Sequence, residues 1–180
     1  MSTTPFAVLG LLAIEPMSGY DIRREIEESL SFFWSESYGQ IYPALKRLEA
    51  ARLIAPVRRA QSGTRRRRVF RITALGEAKL RAWLADPPAP QPPRNELLLK
   101  IFFGRHAPPG ACAAHLRRLR VQQQQLSATL TRITRQLRAE RQGDPNLRYW
   151  SIVITAGLSR ADALMRWSDQ ALSALGGGSR

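Results

Sequence analysis

Five residues suited to nucleic-acid contact cluster at the start of one predicted helix, whose sequence is YGQIYPALKRLEAARLI. Tyr38 and Tyr42 can donate hydrogen bonds to phosphate or lie against sugar and methyl groups, and Gln40 can make two hydrogen bonds to an adenine edge. Gly39 allows a phosphate to approach the backbone closely, and Lys46 supplies positive charge one to two turns later. This arrangement is typical of a helix that enters the major groove of DNA. The alternative is that the two tyrosines only pack on a neighbouring helix.

A run of four arginines, Arg65, Arg66, Arg67 and Arg68, follows a Ser-Gly turn signal. The segments on either side, LIAPVRR and RRVFRIT, are short and rich in β-branched or aromatic residues, so they predict a β-hairpin. Arginines along such a hairpin can enter a narrowed minor groove or bind phosphates. A solvated face is the alternative for any charge run, but the position behind the tyrosine-bearing helix favours a DNA-binding wing.

The overall charge indicates a polyanionic partner. The 180 residues include 28 Lys+Arg and 14 Asp+Glu, a net charge of +14. Residues 1–30 carry a net charge of −3, residues 31–84 one of +9, and residues 85–180 one of +8. A basic protein of this kind favours DNA, RNA or an anionic membrane. The alternative is that the positive charge outside residues 31–84 comes from arginines scattered over the surface, without a polyanionic partner.

The proline-rich stretch DPPAPQPPRN divides the chain into two predicted domains. Residues 1–85 are predicted to fold as a winged helix-turn-helix, because three helical patterns are followed by the hairpin and a fourth helix. Residues 86–94 form an extended linker, since proline is excluded from helix interiors. Residues 95–175 are all helical, and residues 176–180 form a flexible tail. The predicted fold class is mainly α with a small β-hairpin wing and a C-terminal helical dimerisation domain.

Capping residues predict where several helices begin. Ser18, Thr73 and Asn95 each precede a helical pattern and have side chains that accept from backbone N–H groups. Residues 18–30 are predicted to form a single helix with apolar residues every four positions. Gly104 is predicted to stop the helix that follows Asn95.

A heptad pattern runs through the long segment between Pro108 and Arg141. Seven positions follow one another at alternating spacings of three and four residues; six are apolar and one is a glutamine. They are Leu116, Leu119, Gln123, Leu126, Leu130, Ile133 and Leu137. A polar residue in such a seam sets register and partner number at some cost in stability. A second long helix with an apolar face follows it. The two helices therefore predict a homodimer, with the heptad residues as its interface.

Several segments resemble one known family. GQIYPALKRLEAARLI and RRRRVFRITALGEAKLRAWL look like the N-terminal winged helix of PadR-family transcriptional regulators. RNELLLKIFFG, a long helix and AGLSRADALMRW are similar to the C-terminal helical domain of the longer PadR subfamily, which resembles virulence-gene activators. The resemblance covers about residues 5–175, in the expected order.

The resemblance implies a homodimer on a palindromic operator in double-stranded DNA, often a repressor and sometimes relieved by a small aromatic effector. It assigns recognition-helix positions to Tyr38, Gln40, Tyr42 and Lys46, and the wing to Arg65–Arg68. Two residues depart from the family. Arg52 stands where glycine is usual, so a left-handed cap there is strained or the turn differs. Asn95 stands where aspartate is common, and it can still cap the helix.

Catalysis has little support. Cys112 and His115 share one predicted helix face, but two ligands without a second pair make a weak metal signal, so no metal site is predicted. Cys112 fits better as a continuation of the apolar seam. There is no glycine-rich phosphate loop and no Ser/His/Asp spacing. The sequence predicts neither an enzyme nor a cofactor.

Two other classes of function remain open. An RNA-binding module would expose several aromatics on a sheet, and only a short hairpin is predicted. A structural dimer or membrane-surface adaptor would use the arginines of the long helix, which also keep such a helix soluble. No apolar run approaches the roughly 18 residues of a membrane span. With one cysteine there is no sign of an oxidising compartment, so a cytoplasmic protein without a membrane partner is expected.

A small-molecule effector would need an aromatic-lined pocket. Four aromatic residues, Phe102, Phe103, Trp150 and Trp167, are candidates to line a cavity between the halves of a dimer. Aromatics at helical spacing more often belong to an ordinary core, and none of the four is assigned as a site residue.

Overall fold

Two compact units make up the chain, Met1–Pro90 and Gln91–Arg180. The computed structural model describes residues 3–34, 38–57, 68–90 and 94–176. Three predicted features therefore lie outside the described residues: most of the wing, part of the proline-rich linker at 91–93, and the tail at 177–180. Within the described ranges, no helix is long and apolar enough to cross a membrane.

The N-terminal unit combines four helices with one small sheet. Its helices are α1 (Thr4–Ile14), α2 (Gly19–Glu25), α3 (Ile41–Ala50) and α4 (Ala74–Ala85). Its strands are β1 (Met17–Ser18), β2 (Ile54–Pro56) and β3 (Val69–Ile72), in the antiparallel order β1-β3-β2. The mainly helical fold class is confirmed. The strand β1 was not predicted, because two residues are too few to show the alternation that identifies a strand.

One apolar core joins the sheet to α1, α2 and α3. The residues of α3 that face this core are spaced three or four apart and are almost completely buried. They are Ile41, Ala44, Leu45 and Leu48. Tyr42 falls outside this buried set. The core therefore determines which face of α3 points outward.

The helix predicted over residues 18–30 begins as expected but is not regular. Ser18 Oγ accepts a hydrogen bond from the Asp21 N–H at 3.3 Å, and Asp21 Oδ2 accepts one from the Ser18 N–H at 3.1 Å, which completes a capping box. Beyond α2, Ile26–Leu30 forms a π-helical turn. Apolar residues four apart suit either geometry, so the pattern alone did not distinguish them.

Helix α3 ends in a left-handed turn at Arg52, the position where the resemblance leads us to expect a glycine. Arg52 has a φ of 57°, the left-handed region that side chains other than glycine disfavour. The Leu53 N–H donates to the Leu48 carbonyl at 2.9 Å, and the Arg52 N–H donates to the Glu49 carbonyl at 2.9 Å. These two bonds form a Schellman motif and satisfy the last carbonyls of the helix. The Schellman cap therefore forms even though arginine disfavours the left-handed conformation that the cap requires at position 52.

Replacing Arg52 with glycine should raise the free energy of unfolding by about 1 kcal/mol, because glycine adopts this φ without strain. The measurement is the midpoint of urea unfolding, compared at an unchanged m value. Ala51→Gly is the matched control, since Ala51 has a negative φ of −78° and gains nothing from glycine. A loss of stability in Arg52→Gly would mean that the arginine side chain contributes more than the strained backbone costs.

The C-terminal unit consists of three helices, α5 (Glu96–Phe102), α6 (Ala111–Glu140) and α7 (Leu147–Gly176). Asn95 caps α5 as predicted, since its Oδ1 accepts from the Leu98 N–H at 3.0 Å. The Lys100 ammonium, 2.7 Å from a Glu96 carboxylate oxygen, lowers the pKa of that carboxyl.

Gly104 does not act as a simple helix stop. It begins a 3₁₀ turn, Gly104–His106, between α5 and α6. A Cβ at this position would lie 2.8 Å from the sulfur of Cys112. The glycine therefore allows the start of α6 to approach the end of α5.

The heptad of α6 faces α7 of the same chain over at least part of its length. The two helices pack against each other, and Arg120 Nε donates to Asp169 Oδ1 at 2.7 Å between them. Leu116 and Leu130 are fully buried within the single chain, whereas the other five heptad residues are half-buried. A heptad period identifies an apolar face but not the helix that covers it. Contact of the heptad with a second copy stays a prediction.

Candidate nucleic-acid interface

The outward face of α3 presents most of the residues singled out in the sequence. Gly39, Gln40 and Lys46 are exposed, and Tyr42 is 56% exposed. Tyr42 is therefore not hidden, although one side of its ring packs on Gly19 of α2. Of Tyr38 only the backbone is described, and it lies in the 3₁₀ turn that precedes α3.

One exposed polar side chain, that of Gln40, is available to a ligand at the start of α3. Gln40 occupies the N-cap position, but its side chain makes no capping hydrogen bond. Pro43 falls within the first turn, where its missing N–H costs little. The sequence predicted a helix from Tyr38, whereas α3 begins three residues later, at Ile41.

A shallow groove runs over this end of α3. Its lining residues are Gln40, Tyr42, Pro43, Lys46 and Arg47. The rings of Tyr42 and Pro43 supply apolar surface, and the charges of Lys46 and Arg47 stand beside it. This combination suits a DNA strand, whose sugars and thymine methyls are apolar and whose phosphates are anionic.

The arginine run is described only at its last member. Arg68 Nη2 lies 2.5 Å from a carboxylate oxygen of Glu49 in α3, and its guanidinium carbon lies 5.2 Å from the centre of the Phe70 ring. The Arg68 side chain is 60% exposed, so this ion pair contributes only about 0–1 kcal/mol. Arg68 is therefore held at the flank of α3 but can exchange Glu49 for a phosphate at low cost.

Arg65, Arg66 and Arg67 lie outside the described residues. The strands on either side of them are nonetheless antiparallel neighbours, with Ile54 opposite Ile72 and Pro56 opposite Phe70. The segment 58–67 therefore connects the two strands of a hairpin, which is where the sequence placed the wing.

Hydrogen bonds join the end of α3 to the start of α4. Thr73 Oγ1 donates to the Arg52 carbonyl at 2.8 Å, and the Thr73 N–H donates to the Leu53 carbonyl at 3.1 Å. Thr73 Oγ1 also accepts from the Gly76 N–H at 3.1 Å, so it caps α4 as predicted. Sequence reasoning missed this junction, although a glycine in the first turn of a helix was a visible signal of close approach.

The candidates for other chemistry are not assembled into a site. Within the described ranges, no group of three or more His, Cys, Asp or Glu residues could hold a metal ion. Cys112 is a free, half-buried thiol. The aromatic rings of Phe102 and Phe103 meet edge to face at 5.1 Å and are 81% and 55% exposed.

Both units match known families. Residues 8–82 match the family described as transcriptional regulator PadR-like, and residues 93–176 match the family described as virulence activator alpha C-term. The chain therefore combines a PadR-like domain with a virulence activator alpha C-term domain. These two matches confirm the resemblance to PadR-family regulators and their C-terminal helical domain, and the PadR-like family is described as one of transcriptional regulators, not enzymes.

Individual relatives support the same assignment. The negative transcriptional regulator PadR of Bacillus subtilis is 35% identical over 104 residues, 57% of this chain and 57% of that protein. The chain thus spans little more than half the length of this curated relative. A crystal structure of Bacillus subtilis PadR in complex with operator DNA superposes with a TM-score of 0.81 at 26% identity, covering 96% of this chain and 98% of that one. A structure of the same protein with p-coumaric acid gives a TM-score of 0.75 at 26% identity and the same coverage.

Proposed function

We propose that this chain is a sequence-specific DNA-binding transcriptional regulator, acting as a homodimeric repressor on a palindromic operator. The observation that carries the proposal is the outward face of α3, where exposed polar and aromatic residues precede exposed cations. The relative with the same fold that binds operator DNA, and the relative named as a negative regulator, support it.

In this proposal the two units have different tasks. Residues 1–85 bind DNA, with α3 in the major groove and the segment 58–67 as the wing on the adjacent backbone or minor groove. Residues 95–175 form the dimer, and residues 86–94 connect the two.

The dimer is supported by apolar surface that one chain leaves uncovered. Helix α5 and the residue that follows it expose four large apolar side chains, each 49% or more exposed: Leu98, Leu99, Phe102 and Phe103. Monomeric soluble proteins rarely expose a contiguous apolar patch of this kind. A second copy is the proposed occupant, together with the half-buried heptad residues of α6. A two-fold axis then matches the two-fold symmetry of a palindrome.

A small aromatic effector is the second part of the proposal. It rests on the Bacillus subtilis PadR structure that contains p-coumaric acid and on the exposed ring pair of Phe102 and Phe103. An aromatic acid could stack on such rings at the dimer interface. Calorimetric titration of the full chain with p-coumaric acid tests this part, and absence of binding at millimolar concentration would remove it.

The experiment that tests DNA recognition is selection from sheared genomic DNA of the source organism at near-physiological salt, followed by sequencing. Recovery of one or a few palindromes, with half-sites about one helical turn apart, is the expected result. Featureless recovery that disappears as salt is added would contradict the proposal, because charge alone would then explain binding.

Replacing Gln40 with alanine should change sequence preference more than general affinity. The Gln40 amide can make two hydrogen bonds to one base, which discriminates against the wrong base by about 1–3 kcal/mol. The measurement is affinity for the operator and for variants at each half-site position, all at one salt concentration. Uniform weakening across the variants would show that Gln40 does not read a base.

Replacing Arg65 and Arg67 together with alanine should weaken binding to every duplex. The slope of log affinity against log salt should fall by about 0.9 for each phosphate contact that is lost. The matched control is Arg117→Ala with Arg118→Ala, which removes the same charge from α6. An unchanged slope in the wing variant would exclude the wing from DNA binding.

A further inference from the structure

Gly19 occupies a position where a side chain has no room. It is the first residue of α2 and is buried. A Cβ added here would lie 2.9 Å from Cε1 and 3.4 Å from Cζ of the Tyr42 ring, and 3.1 Å from Cδ1 of Leu45. Contacts below 3.0 Å are essentially absent from real structures, so at least one neighbour would have to move.

Backbone conformation does not explain this glycine. Gly19 is absent from the glycines with a positive φ, which are Gly110 and Gly143 in the described chain. Alanine is also the better helix former, so conformational preference alone would favour alanine at this position. A glycine is therefore favoured at this position because a Cβ would collide with Tyr42 and Leu45.

Of these two neighbours, Tyr42 is the one able to move. Leu45 is 4% exposed and belongs to the apolar core, whereas Tyr42 is 56% exposed and has solvent on its outer side. Relieving the contact to ordinary van der Waals distance would displace the ring by about 1 Å. The displacement would be outward, on the face of α3 that carries Gln40 and Lys46.

We infer that Gly19 is a positioning residue for DNA recognition, because its missing side chain determines how far the Tyr42 ring stands out from α3. The inference rests on the proposed function. Tyr42 lines the groove together with Gln40 and Lys46, so the ring position decides how closely a thymine methyl or sugar approaches. Hydrogen bonds made by Gln40 weaken steeply when a base is held away, since donor and acceptor must stay within about 3.2 Å.

The test is a double-mutant cycle on the full chain, with the operator recovered by the wild-type protein and a scrambled duplex as probes. Gly19→Ala should reduce the preference for operator over scrambled duplex about tenfold, the size of one mismatched base pair. Tyr42→Ala removes the ring that the new methyl meets. In the Tyr42→Ala background, Gly19→Ala should therefore change the preference less than twofold.

Gly10→Ala is the matched control, since a Cβ at Gly10 meets no atom within 4 Å. It should leave the operator preference unchanged. Thermal unfolding of each variant separates positioning from loss of fold, and Gly19→Ala should keep its affinity for the scrambled duplex.

Two results would overturn the inference. One is an unchanged operator preference in Gly19→Ala. The other is a loss that persists in the Tyr42→Ala background or that affects both duplexes equally. Failure of the proposed function would look different, because the wild-type chain itself would then show no preference for any duplex.

Discussion

Replacing Gly76 with alanine should lower the free energy of unfolding by about 3 kcal/mol or more. A Cβ at Gly76 would lie 2.1 Å from the Leu53 carbonyl oxygen and 2.8 Å from Cγ1 of Ile72. The first of these atoms belongs to the backbone at the junction of α3 and β2, so it cannot rotate away as a side chain would. Helix α4 would have to separate from this junction, and the Thr73 hydrogen bonds to Arg52 and Leu53 would be lost with it.

Urea unfolding followed by tryptophan fluorescence measures this effect. Trp83 of α4 stacks on Phe6 of α1, with ring centres 4.6 Å apart and planes 6° apart. In a background where the other three tryptophans are replaced by phenylalanine, its emission reports whether α4 is docked. The control Gly10→Ala lies in the middle of α1 with open space around it, and it should gain about 0.5–1 kcal/mol. An unchanged midpoint in Gly76→Ala would show that α4 can shift without cost and that the junction is not rigid.

Replacing Phe102 with glutamate should convert the proposed dimer into a folded monomer. Phe102 is 81% exposed in the single chain, so the substitution leaves the fold of that chain intact. In a dimer that covers α5, the same change would bury an unpaired charge, which costs several kcal/mol. Light scattering should give twice the chain mass of 20.3 kDa for the wild type and the single-chain mass for the variant. Operator affinity should fall by about 100-fold or more, because one half-site contact is lost per molecule.

Gln125→Glu is the control for the added charge, because Gln125 is an exposed polar residue of α6. It should remain dimeric, and circular dichroism should show both proteins to be equally helical. A monomeric mass for the wild-type chain would contradict the proposed homodimer. A dimeric Phe102→Glu would instead mean that the second copy binds elsewhere, with α5 left uncovered.

Helix α3 illustrates how much a local pattern can predict. Its buried face follows from the spacing of Ile41, Leu45 and Leu48, and the polar and aromatic residues between them are left outside. The caps at Ser18, Thr73 and Asn95 were also predicted correctly, because a cap depends on atoms within three residues of the capping side chain.

The sequence did not predict contacts between side chains that lie far apart along the chain. The arginine run gave no sign that Arg68 pairs with Glu49, 19 residues earlier. The heptad of α6 likewise did not reveal that α7 covers Leu116 and Leu130 within one chain. In both cases the residue type shows what kind of partner is needed but not which residue supplies it.

The fold class, the two domain families and the helix proposed to read DNA could be predicted from the sequence alone, because each prediction depends on residue types at short, regular spacing. The folded structure was needed to show that Arg52 keeps the left-handed cap, that Gly76 leaves room for the Leu53 carbonyl, and that Gly19 leaves room for the Tyr42 ring. The reason is physical. Steric room at a glycine is set by atoms of another element that folding brings within 3–4 Å, and no local pattern records that distance.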